Sequence, residues 1–277
     1  MNEVSVLLRV AERRLAEAGV ASPRRDAEAL LDHLLGNPNA RYLTPSLGPA
    51  AMEDYLRRVE RRAAREPLQH ILGSAPFRRL DLLVGPGVFV PRPETELLVE
   101  WGLDVLAGQP APAVVDLCAG SGAIGLAVAA EHHGATVHAV ESAPAALEWL
   151  RRNAAAYPAV TVVAGDATDP ATLADLDGTV DLVLTNPPYV PAGTPVPPEV
   201  ERWDPPEALW GGPDGLTVLR GVVARALALL RPGRWLGAEH DESHAPAVAR
   251  LFAREGFHQV GTRPDLAGRP RFTIGRR

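Results

Sequence analysis

Apolar positions in the first third of the chain recur at helical spacing. Val4, Leu7, Leu8, Ala11 and Leu15 mark one face of a first helix. A second runs through "SPRRDAEALLDHLLG", with Ser22 as N-cap, Pro23 at the first helical position and Gly36 as the stop. A third, "PAAMEDYLRRVERRAAREP", ends before Pro67. The stretch "PFRRLDLLVGPGVFVPRPETE" then places β-rich runs on either side of Gly85-Pro86-Gly87, which predicts a hairpin turning there. From about Thr95 the pattern alternates. Strands are predicted at "AVVDL", "TVHAVE", "VTVVAG", "DLVLTN", "WLGAEH", "FHQVG" and "RFTIG", with helices around 122–131, 143–155, 214–231 and 244–255. Such alternation implies βαβ units and a mainly parallel, Rossmann-like α/β sheet with helices on both faces. The last two strands lie close together, so the last is expected to be antiparallel. The predicted organisation is a helical domain over 1–66, a β-hairpin connector over 67–92 and an α/β domain over 93–277.

Composition narrows the class. A chain of 277 residues, 46% hydrophobic and 22% charged, suits a soluble globular protein of two domains. No apolar run approaches the roughly 20 residues of a membrane span, and the acidic, amphipathic start is not a secretion signal. One cysteine, Cys118, excludes an internal disulfide and a cysteine-based zinc cluster. A cytoplasmic monomer is expected, with no membrane partner and no metal. The net charge of −6 argues against binding nucleic acid through bulk electrostatics. Residues 1–80 carry +3 and the remainder −9, so any basic groove in the α/β part is disfavoured.

The candidate chemistry begins at "VVDLCAGSGAIGLAVAA", a glycine turn between a strand and a helix. Without a Cβ, Gly120 and Gly122 let the backbone pass close to a ligand. Gly120, Gly122 and Gly125 also satisfy G-x-G-x-x-G, and Glu141 follows 21 residues after Gly120, so a nicotinamide enzyme fits the letters too. A turn without a ligand is the plain reading. Asp116 weighs against the nicotinamide reading, because a carboxylate there would repel a pyrophosphate while welcoming an aminium or sulfonium group. The loop resembles the first motif of S-adenosylmethionine-dependent methyltransferases. That resemblance implies that Asp116 helps hold the positive methionine end, and that Cys118, Ala119, Gly120, Ser121 and Gly122 wrap the cofactor. It also implies that Glu141 accepts hydrogen bonds from both ribose hydroxyls. In "AGDATDP", Asp166 and Ala167 stand where such enzymes contact the adenine, although Gly-Asp is also a common turn pair. Cys118 reads as a small residue in a tight loop, not a nucleophile.

The fourth strand of the α/β pattern ends in "LTNPPYV". Two prolines cannot continue a sheet, since neither has an N–H and both fix φ. Methyl transfer to an amide or aromatic amine explains why acceptors should be held still at this point. The delocalised nitrogen is a poor nucleophile and must be presented in line with the methyl carbon. Two converging acceptors, the Asn186 side-chain oxygen and the Pro187 carbonyl, can fix its NH2, and Tyr189 offers a flat wall. Ligands in such sheets bind at the carboxyl ends of strands, where this tetrapeptide falls. A proline-rich loop without function is the plain alternative.

Asn-Pro-Pro-Tyr serves both amino-adenine and glutamine methyltransferases, so flanking segments decide. "REPLQHILG", "FVPRPETELLVE", "VVDLCAGSGAIGLAVA", "NPPYV", "EVERWDPPEALWGGPDGL" and "DLAGRPRF" resemble the release-factor glutamine methyltransferase (HemK/PrmC) family over nearly the whole chain. The resemblance implies methylation of the glutamine side-chain amide in the Gly-Gly-Gln loop of bacterial class I peptide chain release factors. S-adenosylmethionine would be consumed, with N(5)-methylglutamine and S-adenosylhomocysteine as products. It further implies a substrate-gripping role for the amino-terminal helices. A substrate site would include Asn186, Pro187, Pro188 and Tyr189, bordered by Arg92 and Thr95 of "PRPETE". Arg92, Glu94 and Thr95 can equally begin a helix, with Glu94 and Glu96 favoured near its N-terminus. Glu141 and Asp204 stand where the family more usually has aspartate and glutamate, which keeps the charge and alters reach by one methylene. His240 and His244 read as strand-end and helix-cap residues. Rival readings are a ribosomal-protein glutamine methyltransferase, a nucleic-acid adenine methyltransferase, a nicotinamide oxidoreductase, and a cofactor-binding module without catalysis.

Overall fold

The computed structural model describes residues 3–37 and 40–277, which divide into two compact units. The first contains the chain up to Ser74 together with Val196–Trp203, and the second contains the rest.

The first unit is helical. Helices α1 (Glu3–Glu17), α2 (Pro23–Leu35), α3 (Ala40–Leu43), α4 (Pro49–Ala63) and α5 (Leu68–Leu72) are followed, much later in the chain, by a short helix within the inserted stretch. The apolar face of α1 is buried as its spacing predicts, against Leu30 and Leu31 of α2 and Val59 of α4. Ser22 precedes α2 but makes no side-chain cap, so Pro23 carries the start signal. The buried Tyr55 donates its hydroxyl to the Ala27 carbonyl at 3.0 Å. Arg62, buried in the last turn of α4, joins Asp26 at 2.7 Å and Glu199 at 3.0 Å, and Arg65 holds the other oxygen of Glu199. These arginines anchor the inserted stretch within this unit.

Two short strands, β1 (Ser74–Phe77) and β2 (Leu80–Leu83), form a two-stranded ribbon. Its turn is Arg78-Arg79, not Gly85-Pro86-Gly87, which corrects the expectation from sequence. Arg78 takes a left-handed φ of 51° while its backbone N–H and guanidinium are held by Glu96 and Glu131. Those carboxylates lie distant in sequence, so no local signal announces the turn. Phe77 and Leu82 are buried in the core of the second unit.

The second unit continues through α6 (Glu96–Leu106), β3 (Ala113–Leu117), α7 (Ala123–Glu131), β4 (Thr136–Glu141), α8 (Pro144–Ala154), β5 (Val160–Ala164) and β6 (Val180–Thr185). After α9 (Pro198–Trp203), which lies in the first unit, come α10 (Pro206–Leu209), α11 (Thr217–Leu229), β7 (Leu230–Glu239), α12 (Ala245–Glu255), β8 (His258–Pro264) and β9 (Pro270–Arg276). The strands make one sheet in the order β5-β4-β3-β6-β7-β9-β8. All pairings among β3 to β7 are parallel, and β9 runs antiparallel to both its neighbours. Alternate side chains feed two cores, as a parallel sheet covered on both faces requires. Val114, Leu182 and Leu184 pack with Leu98, Leu126 and Val128 of α6 and α7. Val115, Leu117 and Val183 pack with Val222, Ala226 and Phe252 of α11 and α12. Strand order reverses at β3, which has β4 on one side and β6 on the other, so a crevice opens at their carboxyl ends. Among the described residues, no helix is long and apolar enough to cross a membrane.

Candidate active site

A cavity of about 320 Å³ lies at that reversal, within the second unit. Its floor is the chain leaving β3 (Cys118 to Ser121), β4 (Glu141 to Ala143), β5 (Gly165 to Thr168) and β6 (Asn186 to Val190). Phe77, Phe89, Arg92, Thr95 and Leu209 add walls. Of the residues singled out in the sequence, Arg92, Thr95, Cys118, Ala119, Gly120, Ser121, Glu141, Asp166, Ala167, Asn186, Pro187, Pro188 and Tyr189 all line it.

Asp116 and Gly122 do not line it. Asp116 is fully buried beneath the loop, with Oδ2 accepting from the Gly125 N–H at 2.8 Å, on the first turn of α7. Its Oδ1 is buried without a partner, and burial raises its pKa to about 7. Asp116 thus ties β3 to α7 through one carboxylate oxygen and lies beneath the cavity lining. Gly122 caps α7 at φ 90°, and a Cβ there would meet Leu150 and Leu126 at 2.7 and 2.8 Å. Packing and backbone geometry, not ligand contact, demand glycine at 122.

Gly120 differs. Its φ is 57°, a Cβ there would meet nothing within 4 Å, and the residue lines the cavity. Cys118 also has a left-handed φ, 63°, a conformation that favours glycine. Burial pushes its thiol pKa up, so it rests as a neutral thiol. Glu141 folds over the loop: Oε2 accepts from Gly120 N–H at 2.8 Å, and Oε1 from the Ser142 and Ala143 N–H groups. A carboxylate oxygen has two lone-pair directions, so Oε1 is filled by its two N–H donors while Oε2 retains capacity for one hydroxyl donor. Asp166 closes an Asx turn, with Oδ1 accepting from the N–H and hydroxyl of Thr168.

The acceptor side is built around Asn186. Its Nδ2 donates to Thr95 Oγ1 at 3.3 Å, and Thr95 donates to Glu239 Oε2 at 2.7 Å. The Tyr189 hydroxyl donates to Glu239 Oε1 at 3.4 Å. Among the described residues neither Asn186 Oδ1 nor the Pro187 carbonyl has a hydrogen-bond partner, and both residues face the cavity. The prolines are not the sole source of stiffness. Val190 N–H donates to the Leu209 carbonyl at 2.8 Å and the Gly211 N–H to the Val190 carbonyl at 2.9 Å. Gly211 and Gly215 pack so closely that a Cβ would reach the Pro188 and Tyr189 carbonyls at 2.6 and 2.4 Å. "EALWGGPDG" is thus a backbone brace for the tetrapeptide. Arg92 stacks over Phe89 at 4.7 Å and joins Asp204 at 2.9 Å. Burial raises the Asp204 pKa to about 6 despite Arg92.

Glu239, Phe77, Phe89 and Leu209 were not anticipated. Glu239 was findable, because it is an acid at the carboxyl end of the strand next to β6. His240 is buried between the Asp241 carbonyl and Thr273, as a strand-end residue, and His244 leads into α12.

The sheet order, the cavity at the reversal and the glycine loop define a methyltransferase. Residues 82–196 match the methyltransferase small domain, and residues 7–73 the PrmC N-terminal domain. Among solved structures, the fold is similar to the hMettl16 catalytic domain in complex with an RNA hairpin. The TM-score is 0.55 at 15% identity, covering 80% of each chain. It is also similar to the Thermus thermophilus 16S rRNA N2 G1207 methyltransferase in complex with AdoMet and guanosine. There the TM-score is 0.51 at 22% identity, covering 74% of this chain and 49% of that one. At such identities these likenesses carry the fold alone. Curated relatives are far closer. The release factor glutamine methyltransferases of Mycolicibacterium smegmatis and Streptomyces coelicolor are each 46% identical, over 100% of this chain and 99% of theirs. That of Deinococcus radiodurans is 41% identical over 98% of this chain and 97% of its own. The chain belongs to the release factor glutamine methyltransferase family.

Proposed function

We propose that the protein transfers a methyl group from S-adenosylmethionine to the side-chain amide of the Gly-Gly-Gln glutamine in class I peptide chain release factors. The products are N(5)-methylglutamine and S-adenosylhomocysteine. The observation that carries the reading is the pair of unpartnered acceptors, Asn186 Oδ1 and the Pro187 carbonyl, braced at the rim of a cavity whose other end is the glycine loop.

The cavity fits the cofactor in one respect that can be tested: it contains, beside Gly120, space that a Cβ would fill. Cys118 to Ser121 would follow the cofactor's backbone, Glu141 Oε2 would accept from a ribose hydroxyl, and Asp166 and Ala167 would border the adenine. When bound, it supplies an electrophilic methyl carbon. Asn186 and Pro187 then take one N–H each of the glutamine NH2, which fixes the direction of the nitrogen. These acceptors strengthen as the nitrogen pyramidalises and gains positive charge, so they favour the transition state over the planar amide. The S–C bond breaks as the N–C bond forms. The methylated nitrogen, now strongly acidic, gives its extra proton to solvent, so no strong base is required. Tyr189 walls the acceptor side as a neutral phenol, because burial beside Glu239 pushes its pKa up. The helical unit would grip a second part of the release factor.

The test is incubation of the full-length protein with methyl-labelled S-adenosylmethionine and purified release factor, ribosomes and DNA. Mass mapping should place label on the Gly-Gly-Gln peptide, and Asn186→Ala should lower kcat at least a hundredfold. Label on ribosomal protein or DNA would overturn the substrate assignment.

A further inference from the structure

We infer that Glu239 is a positioning residue for methyl transfer: through Thr95 it sets which way the Asn186 amide faces, and through Tyr189 it steadies the aromatic wall. The inference rests on the reaction proposed above.

The argument is one of donors and acceptors. Glu239 ends β7, whose Ala238 pairs with Thr185, so its side chain emerges beside Asn186. It is 2% exposed, and no cation lies within 4.0 Å of it among the described residues. An ionised carboxylate only accepts. The Thr95 hydroxyl must therefore spend its one hydrogen on Glu239 Oε2, at 2.7 Å, and can meet Asn186 only as an acceptor. The Asn186 group turned toward Thr95 is then necessarily the NH2, as the 3.3 Å contact has it. Oδ1 is left for the cavity, where an acceptor is needed. Were Glu239 protonated, it could donate to Thr95, the hydroxyl could donate to Asn186 Oδ1, and the amide could turn its NH2 toward the substrate NH2. Two donors would then oppose each other.

A purely structural role fits less well. A buried carboxylate whose partners are two hydroxyls costs desolvation that an apolar residue would avoid. What it provides is direction in a hydrogen-bond chain. The groups facing it are Thr95 and Glu94 from the turn before α6, Tyr189 from the loop after β6, and Arg271 from β9. The balance of these places its pKa at about 7, with burial the leading cause.

The experiment measures kcat, KM for release factor, S-adenosylmethionine affinity and melting for the full-length protein and three variants. Thr95→Val, isosteric but without the hydroxyl, should lower kcat at least tenfold with cofactor affinity changed less than twofold. Thr95→Ser should recover at least a third of the wild-type kcat. Wild-type kcat should fall as pH drops below about 7, and Glu239→Gln should lose that acid limb. Wild-type kcat in Thr95→Val would overturn the inference. So would an equal loss in Thr95→Ser, or an acid limb that survives in Glu239→Gln. If Thr95→Val fails to bind cofactor or to melt cooperatively, the Glu239→Gln pH profile decides. A wild-type protein that methylates no release factor would instead sink the proposed reaction itself, and this inference with it.

Discussion

Two glycines of one loop should fail in different ways when each is replaced by alanine. Both have left-handed backbones, at φ 57° for Gly120 and 90° for Gly122, so each alanine costs about 1–2 kcal/mol in backbone strain. At 120 that is the whole cost, since the new Cβ meets no atom within 4 Å. At 122 the Cβ arrives 2.7 Å from Leu150 Cδ1 and 2.8 Å from Leu126 Cδ1, both on fully buried side chains. Overpacking of that kind adds about 1–3 kcal/mol, for a total of about 2–5 kcal/mol. The functional order is the reverse. The methyl group of Gly120→Ala stands in the cavity and should weaken S-adenosylmethionine binding at least tenfold, or about 1.4 kcal/mol. Urea denaturation and titration calorimetry on both variants separate the two effects. Wild-type cofactor affinity in Gly120→Ala would refute the placement of the cofactor against this loop. Wild-type stability in Gly122→Ala would refute the packing argument.

Other substitutions probe the supports. Burial raises the Asp116 pKa to about 7, so between about pH 4 and 7 the folded state keeps a proton that the unfolded chain has lost. That contribution to stability is present at low pH and disappears as pH rises through 7, with a full span of at most about 4 kcal/mol. Asp116→Asn should accordingly gain on wild type in urea denaturation as pH is raised from 5 to 8; a difference that ignores pH would contradict the burial argument. Cys118→Gly should relieve left-handed strain of about 1–2 kcal/mol against a glycine entropy cost of about 0.5–1 kcal/mol. Calorimetry should then find Tm unchanged or raised by about 2 °C, whereas a clear fall would show that the thiol's packing outweighs the strain. Arg62→Ala should cost the helical unit about 3 kcal/mol, because it leaves Asp26 buried and unpaired. Limited proteolysis within residues 3–74 should accelerate; an unchanged rate would mean that the pair is inert.

Much of the site was legible because its signals are local. "CAGSG", "NPPY" and Glu141 each sit at the end of a predicted strand, and strand ends converge wherever a parallel sheet reverses its order. Periodicity found α1 and α2 for the same reason. Local signals failed where a distant partner decides. The hairpin turn lies at Arg78-Arg79 because Glu96 and Glu131 hold Arg78 there, while the more turn-like Gly85-Pro86-Gly87 packs against Trp149 and Ala145. Asp116 reads as a ligand group in the motif, yet its carboxylate turns to Gly125, a partnership that only the folded loop reveals. The strand-end position of Glu239 is legible, but its role comes from Thr95 and Tyr189, 144 and 50 residues away. The glycines of "WGGPDG" similarly become meaningful only once the Pro188 and Tyr189 carbonyls lie against them.

The central claim is that two fixed oxygens present a glutamine NH2 to the methyl donor. The most direct measurement is a crystal structure of the protein with S-adenosylhomocysteine and a Gly-Gly-Gln peptide. The account predicts the glutamine Nε2 about 2.9 Å from both Asn186 Oδ1 and the Pro187 carbonyl, with its free face toward the sulfur. A glutamine amide that presents its oxygen to this pair, or lies outside their reach while the cofactor site is filled, would contradict it.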